Sequence, residues 1–275
     1  MNLNDKYLEV NSRFNKDKKY IIQAFINYYG EQYTGYIYDV FNNLRIVWFD
    51  EREYVEGSDV RDYIVSSLSD KEIEEALNKR KSNIFVQSGY IDELDLLVLP
   101  LSYDLSHIIH EINHKVSSHL ISVEPYLQIS GLEYDEGTGI SVKVHDEFLN
   151  ELINQKITLD ILEELNNLGY KVDRSSSWQE RLFSLINSFY DLFKNLIKEV
   201  YITGNLNEFI KKLGEENYVR FTQIIFLKVF RLRNRIRKGE EVKISNEDIL
   251  LLEECVMKMK NHFEEIINSY ANFNK

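Results

Sequence analysis

Apolar residues recur at helical spacing along most of the chain. Near the N-terminus this spacing runs over residues 16–29 and stops at Gly30, which predicts a helix that ends at this glycine. Beyond Gly169 the spacing is almost uninterrupted, and Ser245 is placed to cap the last helix. We therefore expect further helices at residues 177–202, 205–213, 215–238 and 246–272.

Strand patterns are confined to the first half of the chain. Short apolar runs of strand length occupy residues 44–49, 83–86 and 95–101. The last of these should lie at a sheet edge or end at Pro100, because proline has no N–H for an interior ladder. Residues 127–132 and 140–144 flank the segment Tyr-Asp-Glu-Gly-Thr-Gly, a pattern typical of a hairpin. Between the first strands, Ser69 and Glu72 form a capping-box pattern that predicts a helix over 69–81.

These patterns indicate a mostly helical α+β protein. Only two prolines and 11 glycines occur among the 275 residues, which disfavours a turn-rich all-β fold. We predict that residues 1–168 form a lobe with a small mixed or antiparallel sheet, and that residues 169–275 form an all-helical lobe. No low-complexity linker separates the two parts, so we expect packed lobes rather than independent domains.

Charge and composition restrict the classes of partner. A net charge of −12 repels phosphate backbones, so no nucleic-acid partner is expected. The basic run from Arg231 to Lys238 closes a predicted helix, where positive charge suits the helix dipole. No apolar stretch approaches the ~20 residues of a membrane span, and the N-terminus lacks a secretory pattern. We expect a soluble cytoplasmic protein, with its single cysteine, Cys255, buried as a small apolar residue.

Residues 110–114 read His-Glu-Ile-Asn-His, on a helix that the apolar spacing predicts from Leu105. Histidines four residues apart lie one turn above each other on the same face, so His110 and His114 can both reach one ion at ~2.0–2.1 Å. Glu111 follows the first histidine directly and is placed to act as a general base toward water at the metal. The pattern predicts a catalytic zinc site of the zincin type.

Catalytic zinc takes three protein ligands and leaves one position open. Three carboxylates near the start of the next predicted helix are available, on Asp146, Glu147 and Glu151. We favour Glu151, because the apolar residues around it in Phe-Leu-Asn-Glu-Leu-Ile would bury this helix and direct the carboxylate inward. Glu147 lies one turn earlier on the same face and stays open as the alternative.

These residues resemble the gluzincin, or thermolysin-like, branch of zinc metallopeptidases. The likeness lies in His-Glu-Ile-Asn-His, in Ser-Gly-Leu at 130–132 and in Leu-Asn-Glu at 149–151. It covers roughly residues 85–215. Within this branch, the chain looks more closely like uncharacterised thermolysin-related peptidases of low-GC Gram-positive bacteria. The resemblance implies a zincin-like first lobe in which His110, His114 and Glu151 hold Zn²⁺ and Glu111 is the base.

The chain departs from this family just after the third ligand. Such relatives read Asn-Glu-Gly-Ile-Thr-Glu, whereas residues 150–155 here read Asn-Glu-Leu-Ile-Asn-Gln. Leu152 replaces a small residue, and Gln155 replaces a carboxylate. If position 155 orients a histidine ring, Gln155 can do so only through its carbonyl oxygen, which leaves that histidine a less basic ligand.

The expected activity is hydrolysis of peptide bonds in a peptide or an unfolded protein. Tyr170 and His145 are candidates to stabilise the oxyanion, since a phenol or an imidazole can donate to it. The substrate is expected to pair with an edge strand at 95–101. The alternative is a non-catalytic zinc-binding or protein-interaction protein on the same scaffold.

Two further histidines are not assigned to the metal. His107 is expected at the surface or in a supporting position near the ligands. His119 falls nine positions after His110 and out of line with it on a continued helix, so it is expected to face solvent.

Overall fold

The computed structural model describes residues 2–56, 58–66, 68–80, 89–91, 94–123, 126–138, 141–172 and 176–273. Within these ranges the protein is mostly helical, with two four-stranded sheets, as the α+β prediction requires. The strand expected at 83–86 lies outside the described residues. None of the described helices combines the length and apolarity that crossing a bilayer demands.

Long helices occupy most of the places where apolar spacing predicted them. They are α1 (Leu3–Tyr29), α2 (Thr34–Asn42), α3 (Asp70–Arg80), α4 (Leu105–Ser117), α5 (Glu147–Asn167), α6 (Asn187–Thr203), α7 (Leu206–Leu213), α8 (Glu215–Arg237) and α9 (Asn246–Phe273). A 3₁₀ helix, Gln179–Leu185, precedes α6. The predicted caps are confirmed: Ser69 and Glu72 bond each other's backbone N–H groups, and Ser245 Oγ accepts from Asp248 N at 3.1 Å.

Helix α1 is longer than predicted. It begins at Leu3, because the side chain of Asn2 accepts a hydrogen bond from the backbone N–H of Asp5 at 2.8 Å. It ends where the pattern predicted, at Gly30, whose φ of 113° few other residues adopt. The apolar spacing did not predict α2, which follows within a few residues.

The first sheet is mixed. Its strands are β1 (Ile46–Phe49), β2 (Ile64–Ser66), β3 (Gly89–Ile91) and β4 (Leu96–Pro100), in the order β2-β1-β4-β3. Strands β1 and β4 are parallel, and the outer pairs are antiparallel. Strand β4 is therefore an interior strand that ends at Pro100. We expected a substrate to pair with an edge strand at 95–101. The expectation of an edge is wrong, because β4 is paired with β1 on one side and with β3 on the other.

The second sheet is an antiparallel meander of β5 (Ser118–Val123), β6 (Tyr126–Ser130), β7 (Glu133–Thr138) and β8 (Ser141–His145). The predicted hairpin turn was misplaced. The chain turns at Gly131, with a φ of 65°, and residues 133–138 form a strand paired on both sides. The polar composition of these residues resembles that of a turn, although the ladder hydrogen bonds place them in a strand.

The described chain groups into two compact units. The first comprises Met1–Val116 and Ile157–Ser175, and the second comprises Ser117–Lys156 and Ser176–Lys275. In the first, the apolar face of the mixed sheet forms a core around Val47, Phe49 and Val98. In the second, aromatic rings of the later helices pack together. The rings of Phe189 and Phe221 are stacked with their centroids 4.7 Å apart.

This division does not coincide with the lobe boundary predicted at residues 168–169. The meander is grouped with the later helices, and long-range side-chain contacts also join them. His119 on β5 lies 3.0 Å from the carbonyl oxygen of Tyr201 on α6, and the Tyr201 hydroxyl donates to Asn150 at 2.7 Å.

Candidate metal centre

Helix α4 carries the two candidate histidine ligands. It begins after Tyr103, with the side chain of Asp104 accepting from the backbone N–H groups of Ser106 and His107 at 2.9 and 3.2 Å. Its apolar face is fully buried, so the opposite face is free to carry chemistry. The buried apolar residues are Leu105, Ile108, Ile109, Ile112 and Val116.

The two imidazoles meet edge to face on this helix. Their Nε2 atoms are 3.2 Å apart, and the rings lie at 75° with centroids 4.9 Å apart. His110 is buried and His114 is half-buried. Two nitrogens bound to one tetrahedral ion at ~2.0–2.1 Å would be about 3.3 Å apart, so the observed spacing suits two ligands of one metal.

Glu151, on the first turns of α5, is grouped with the two histidines. One potential ligand atom from each of His110, His114 and Glu151 lies within 4.8 Å of the other two. The donor set is two imidazole nitrogens and one carboxylate oxygen. It is chemically suited to zinc, and equally to other divalent transition metals that accept nitrogen and oxygen donors.

Glu147 and Asp146, the other two carboxylates considered as the third ligand, have different surroundings from those of Glu151. Glu147 is exposed, and its carboxylate lies 3.9 Å from a guanidinium nitrogen of Arg233. Asp146 has a positive φ of 60°, and its carbonyl oxygen accepts from the N–H of Asn150 where α5 begins. Of the three carboxylates considered from the sequence, Glu151 is the one grouped with the histidines.

Gln179, which no sequence pattern singled out, lies beside Glu151. The side-chain nitrogen of Gln179, at the start of the 3₁₀ helix, lies 3.4 Å from Glu151 Oε2. Gln179 is buried. A hydrogen bond to one carboxylate oxygen restricts the rotamer of the side chain.

The candidate base, Glu111, is buried and has two close polar neighbours at its carboxylate. Its Oε2 accepts a hydrogen bond from the backbone N–H of Tyr90 on β3 at 2.9 Å. Its Oε1 lies 3.3 Å from Nε2 of His107, one turn earlier on α4. His107 thus lies beside Glu111 with its side chain 38% exposed, and the contact of Glu111 with Tyr90 is one that sequence spacing could not reveal.

A buried asparagine precedes a candidate ligand on each helix. Asn113, before His114, accepts from the hydroxyl of Tyr29 at 2.5 Å. Asn150, before Glu151, accepts from the hydroxyl of Tyr201 at 2.7 Å and from the backbone N–H of Leu132 at 3.1 Å. Buried amides bonded in this way fix the rotation of each helix about its axis.

Tyr170 lies in a different group of side chains. Its ring packs 5.6 Å from that of Tyr20. Burial, followed by a hydrogen bond to Asp17, raises the pKa of Tyr170 to about 12. Asp17 is buried and also accepts from the hydroxyl of Tyr103 at 2.7 Å. The role of Tyr170 toward an oxyanion stays a prediction. The side chain of His145 lies outside the described residues.

The expectation that His119 faces solvent was wrong. Helix α4 ends at Ser117, so His119 lies on a strand, half-buried against the carbonyl oxygen of Tyr201. Burial lowers its pKa below the ordinary value of 6.5. Its position is explained by packing against α6.

Comparisons of this chain with protein-family models, with curated proteins and with solved structures found no match. Interpretation of the centre therefore depends on its own donor atoms and their surroundings.

Proposed function

We propose that the chain is a zinc-dependent peptidase of the zincin type, with His110, His114 and Glu151 as the metal ligands. The main support is the convergence of their three donor atoms within 4.8 Å. Two imidazoles and one carboxylate form the donor set of catalytic rather than structural zinc sites, which leave a fourth position for water or substrate. The three residues are the ones that the resemblance implied.

The surroundings of α4 add support for the zincin assignment. A mixed sheet precedes the helix; among the described strands β3 is outermost on one side, antiparallel to β4, and Tyr90 of β3 contacts Glu111. The carboxylate proposed as base thus lies directly beside a strand edge. That edge is where an extended peptide can bind by backbone pairing.

In the proposed mechanism, zinc when bound supplies a Lewis acid that lowers the pKa of water and polarises the peptide carbonyl. Glu111 accepts the proton from the attacking water and transfers it to the leaving amine nitrogen. Before substrate binds, the Tyr90 N–H donates to one oxygen of Glu111, and Nε2 of His107 lies 3.3 Å from the other oxygen.

The substrate is proposed to be an extended peptide or a segment of unfolded protein bound along β3, rather than along β4 as the sequence suggested. A substrate carbonyl that accepts from the Tyr90 N–H would replace the Glu111 carboxylate as its partner. Binding would thereby release one oxygen of the base for proton transfer. Backbone pairing of this kind gives little selectivity for side chains.

Metal content tests the ligand assignment. Protein purified without added metal is expected to carry one zinc per chain, and His110→Ala or Glu151→Ala is expected to lose most of it. His119→Gln serves as the matched control, because His119 is a half-buried histidine bound to a backbone carbonyl. Equal zinc in wild type and His110→Ala would remove the ligand assignment.

Turnover separates the enzyme from a non-catalytic zinc protein. Wild type is expected to cleave an unstructured peptide library, and Glu111→Gln to reduce the rate about 10²–10⁴-fold while retaining zinc. Zinc binding without cleavage by either protein would favour the non-catalytic alternative. Equal cleavage by both would exclude Glu111 as the base.

A further inference from the structure

Two stripes of polar residues run side by side on helix α4. His110 and His114, the candidate metal ligands, form one stripe, and residues 107, 111 and 115 form the other at steps of four. Glu111, in the middle of the second stripe, is the candidate base, and His107 lies beside it. Lys115, at the end of this stripe, has no part in the proposed mechanism, although it follows a candidate metal ligand directly in the chain.

Lys115 contacts the first sheet through Asp95, the residue before strand β4. Its Nζ binds Oδ1 of Asp95, and 18% of the lysine side chain is exposed. The hydroxyl of Tyr90 on β3 donates to the same Oδ1 at 2.9 Å. The Lys115 ammonium also lies 5.8 Å from the centroid of the Tyr90 ring, within the range of a cation–π contact. Tyr90, Asp95 and Lys115 therefore form one cluster, the Lys115 cluster, which joins α4 to β3 and to the start of β4.

The backbone of Asp95 has an uncommon conformation. Its φ of 48° lies in the left-handed region, which aspartate tolerates better than most other residues with a side chain. Such a conformation persists where the surroundings hold it, and here both Lys115 and Tyr90 bind the carboxylate. The Asp95 side chain is 45% exposed, so solvent weakens the ion pair and its contribution to global stability is small.

Tyr90 connects the Lys115 cluster to the candidate base. Its hydroxyl donates to Asp95, and its backbone N–H donates to Oε2 of Glu111 at 2.9 Å. Strand β3 has three residues, each paired with β4. Because so short a strand forms few ladder hydrogen bonds, its position depends strongly on side-chain contacts. Glu111 and Lys115 are one turn apart, so α4 holds Tyr90 both at its backbone and at its ring.

We propose that Lys115 is a positioning residue that holds the substrate-binding edge of β3 against α4 by acting through Asp95 and Tyr90. This inference rests on the proposed peptidase function, in which an extended peptide binds along β3. With the Lys115 cluster intact, the edge is in place before the peptide arrives, so binding orders less backbone. Without the cluster, the peptide must order the strand as it binds, which weakens substrate binding rather than slowing the chemical step.

A direct electrostatic effect of the Lys115 ammonium on the metal centre is the main alternative. Lys115→Met and Asp95→Asn both break the ion pair, so a positioning role predicts changes in the same direction. The first substitution removes a positive charge and the second removes a negative charge. A direct electrostatic role therefore predicts changes in opposite directions.

Amide hydrogen exchange in the full chain, without substrate, tests the position of β3. We expect the Tyr90 amide to exchange at least about 3-fold faster in Lys115→Met than in wild type. Tyr90→Phe, which removes the hydroxyl and keeps the backbone N–H, should have a similar effect. Lys115→Arg should retain most of the protection, because a guanidinium can bind the same carboxylate.

Peptide cleavage tests the consequence for substrate. KM for an unstructured peptide should rise about 3–10-fold in Lys115→Met, with kcat within about 2-fold of wild type. Zinc content and the urea midpoint should not change. The double variant Lys115→Met/Tyr90→Phe should have no larger effect than either single variant, since both substitutions break the same cluster.

Lys6→Met is the matched control. The ion pair of Lys6 with Asp50, at 2.7 Å, also joins a helix to a strand end of the first sheet, but it does not include Tyr90. Neither KM nor exchange at the Tyr90 amide should change in this variant.

Unchanged exchange at Tyr90 in Lys115→Met would overturn the proposal. A loss confined to kcat would also overturn it, as would opposite changes in Lys115→Met and Asp95→Asn. If no variant and no wild-type chain cleaves peptide while exchange is still faster in Lys115→Met, the peptidase function fails, and Lys115 remains the residue that positions β3 beside Glu111.

Discussion

The helices α4 and α5 hold their candidate metal ligands by the same device but with different support. In each, a fully buried asparagine precedes a ligand and accepts a tyrosine hydroxyl: Asn113 from Tyr29, and Asn150 from Tyr201. Asn150 additionally accepts the backbone N–H of Leu132, in the turn of the meander. The amide beside Glu151 therefore connects three segments of the chain.

The difference between the helices has a physical reason. His110 and His114 are four residues apart on one helix, so helix geometry alone holds their relative positions. Glu151 is on another helix, and its position depends on side-chain contacts that orient α5. The contacts of Asn150 and Gln179 supply that orientation. We therefore expect substitutions around Asn150 to affect both folding and metal affinity.

The largest effect is expected from Asn150→Ala. Alanine would remove the side-chain oxygen that accepts from the N–H of Leu132 and from the hydroxyl of Tyr201, and each loss costs about 1–3 kcal/mol. We expect the free energy of unfolding, from urea titration, to fall by about 3–5 kcal/mol. The same substitution at exposed Asn166 on α5 should change it by less than about 0.5 kcal/mol. A loss below about 1 kcal/mol at position 150 would contradict the proposed connection.

Gly131→Ala is expected to have the next largest effect. A Cβ at this position would lie 2.6 Å from Asn150 Oδ1 and 2.6 Å from Cζ of Tyr201, and the φ of 65° disfavours alanine. We expect a loss of about 2–4 kcal/mol in the free energy of unfolding, because either the turn or the buried amide must move.

The control for this substitution is Gly35→Ala in α2. Nothing lies within 4 Å of a Cβ added at Gly35. Alanine there should be neutral or should stabilise the helix by up to about 1 kcal/mol. Equal effects at the two glycines would show that the close approach at Gly131 has no energetic consequence.

Tyr29→Phe and Tyr201→Phe compare the two supports directly. Each variant removes one hydroxyl donor from a buried amide, and each is expected to lower the free energy of unfolding by about 1–2 kcal/mol. Zinc affinity, measured by competition with a chelator, should fall by up to about 10-fold in Tyr201→Phe and by less in Tyr29→Phe. A larger effect on affinity in Tyr29→Phe would reverse the comparison.

The features that follow from local spacing could be predicted from the sequence. The helical positions of His110 and His114, the start of α5 and the caps at Ser69 and Ser245 each depend on residues within one or two turns. Glu151 was favoured because its neighbours are apolar, which is also a local signal. These predictions needed no knowledge of how distant segments meet.

The remainder depends on contacts between distant residues. The hydrogen bonds of Tyr90 to Glu111 and of Gln179 to Glu151 span 21 and 28 residues, and no periodic pattern relates their partners. Gly137 was read as part of a turn, although it pairs with strands on both sides. Its composition favours a turn, and ladder formation outweighs that preference.

The smallest expected effect concerns pH and the histidine that contacts the backbone of Tyr201. Burial lowers the pKa of His119 below 6.5, so the folded protein holds the neutral form. The unfolded chain gains a proton as the pH falls through 6.5, while the folded chain does so only at lower pH. The stabilisation is therefore present above this range and is lost as the pH falls. Urea titrations at pH values of about 8 and about 5 measure this effect. Between the higher and the lower pH, the free energy of unfolding should fall more in wild type than in His119→Gln, so the two values should lie closer together at the lower pH. If the difference in free energy of unfolding between the two proteins is the same at both pH values, the pKa of His119 does not change on unfolding. The contact of His119 with Tyr201 would then contribute to stability through packing only.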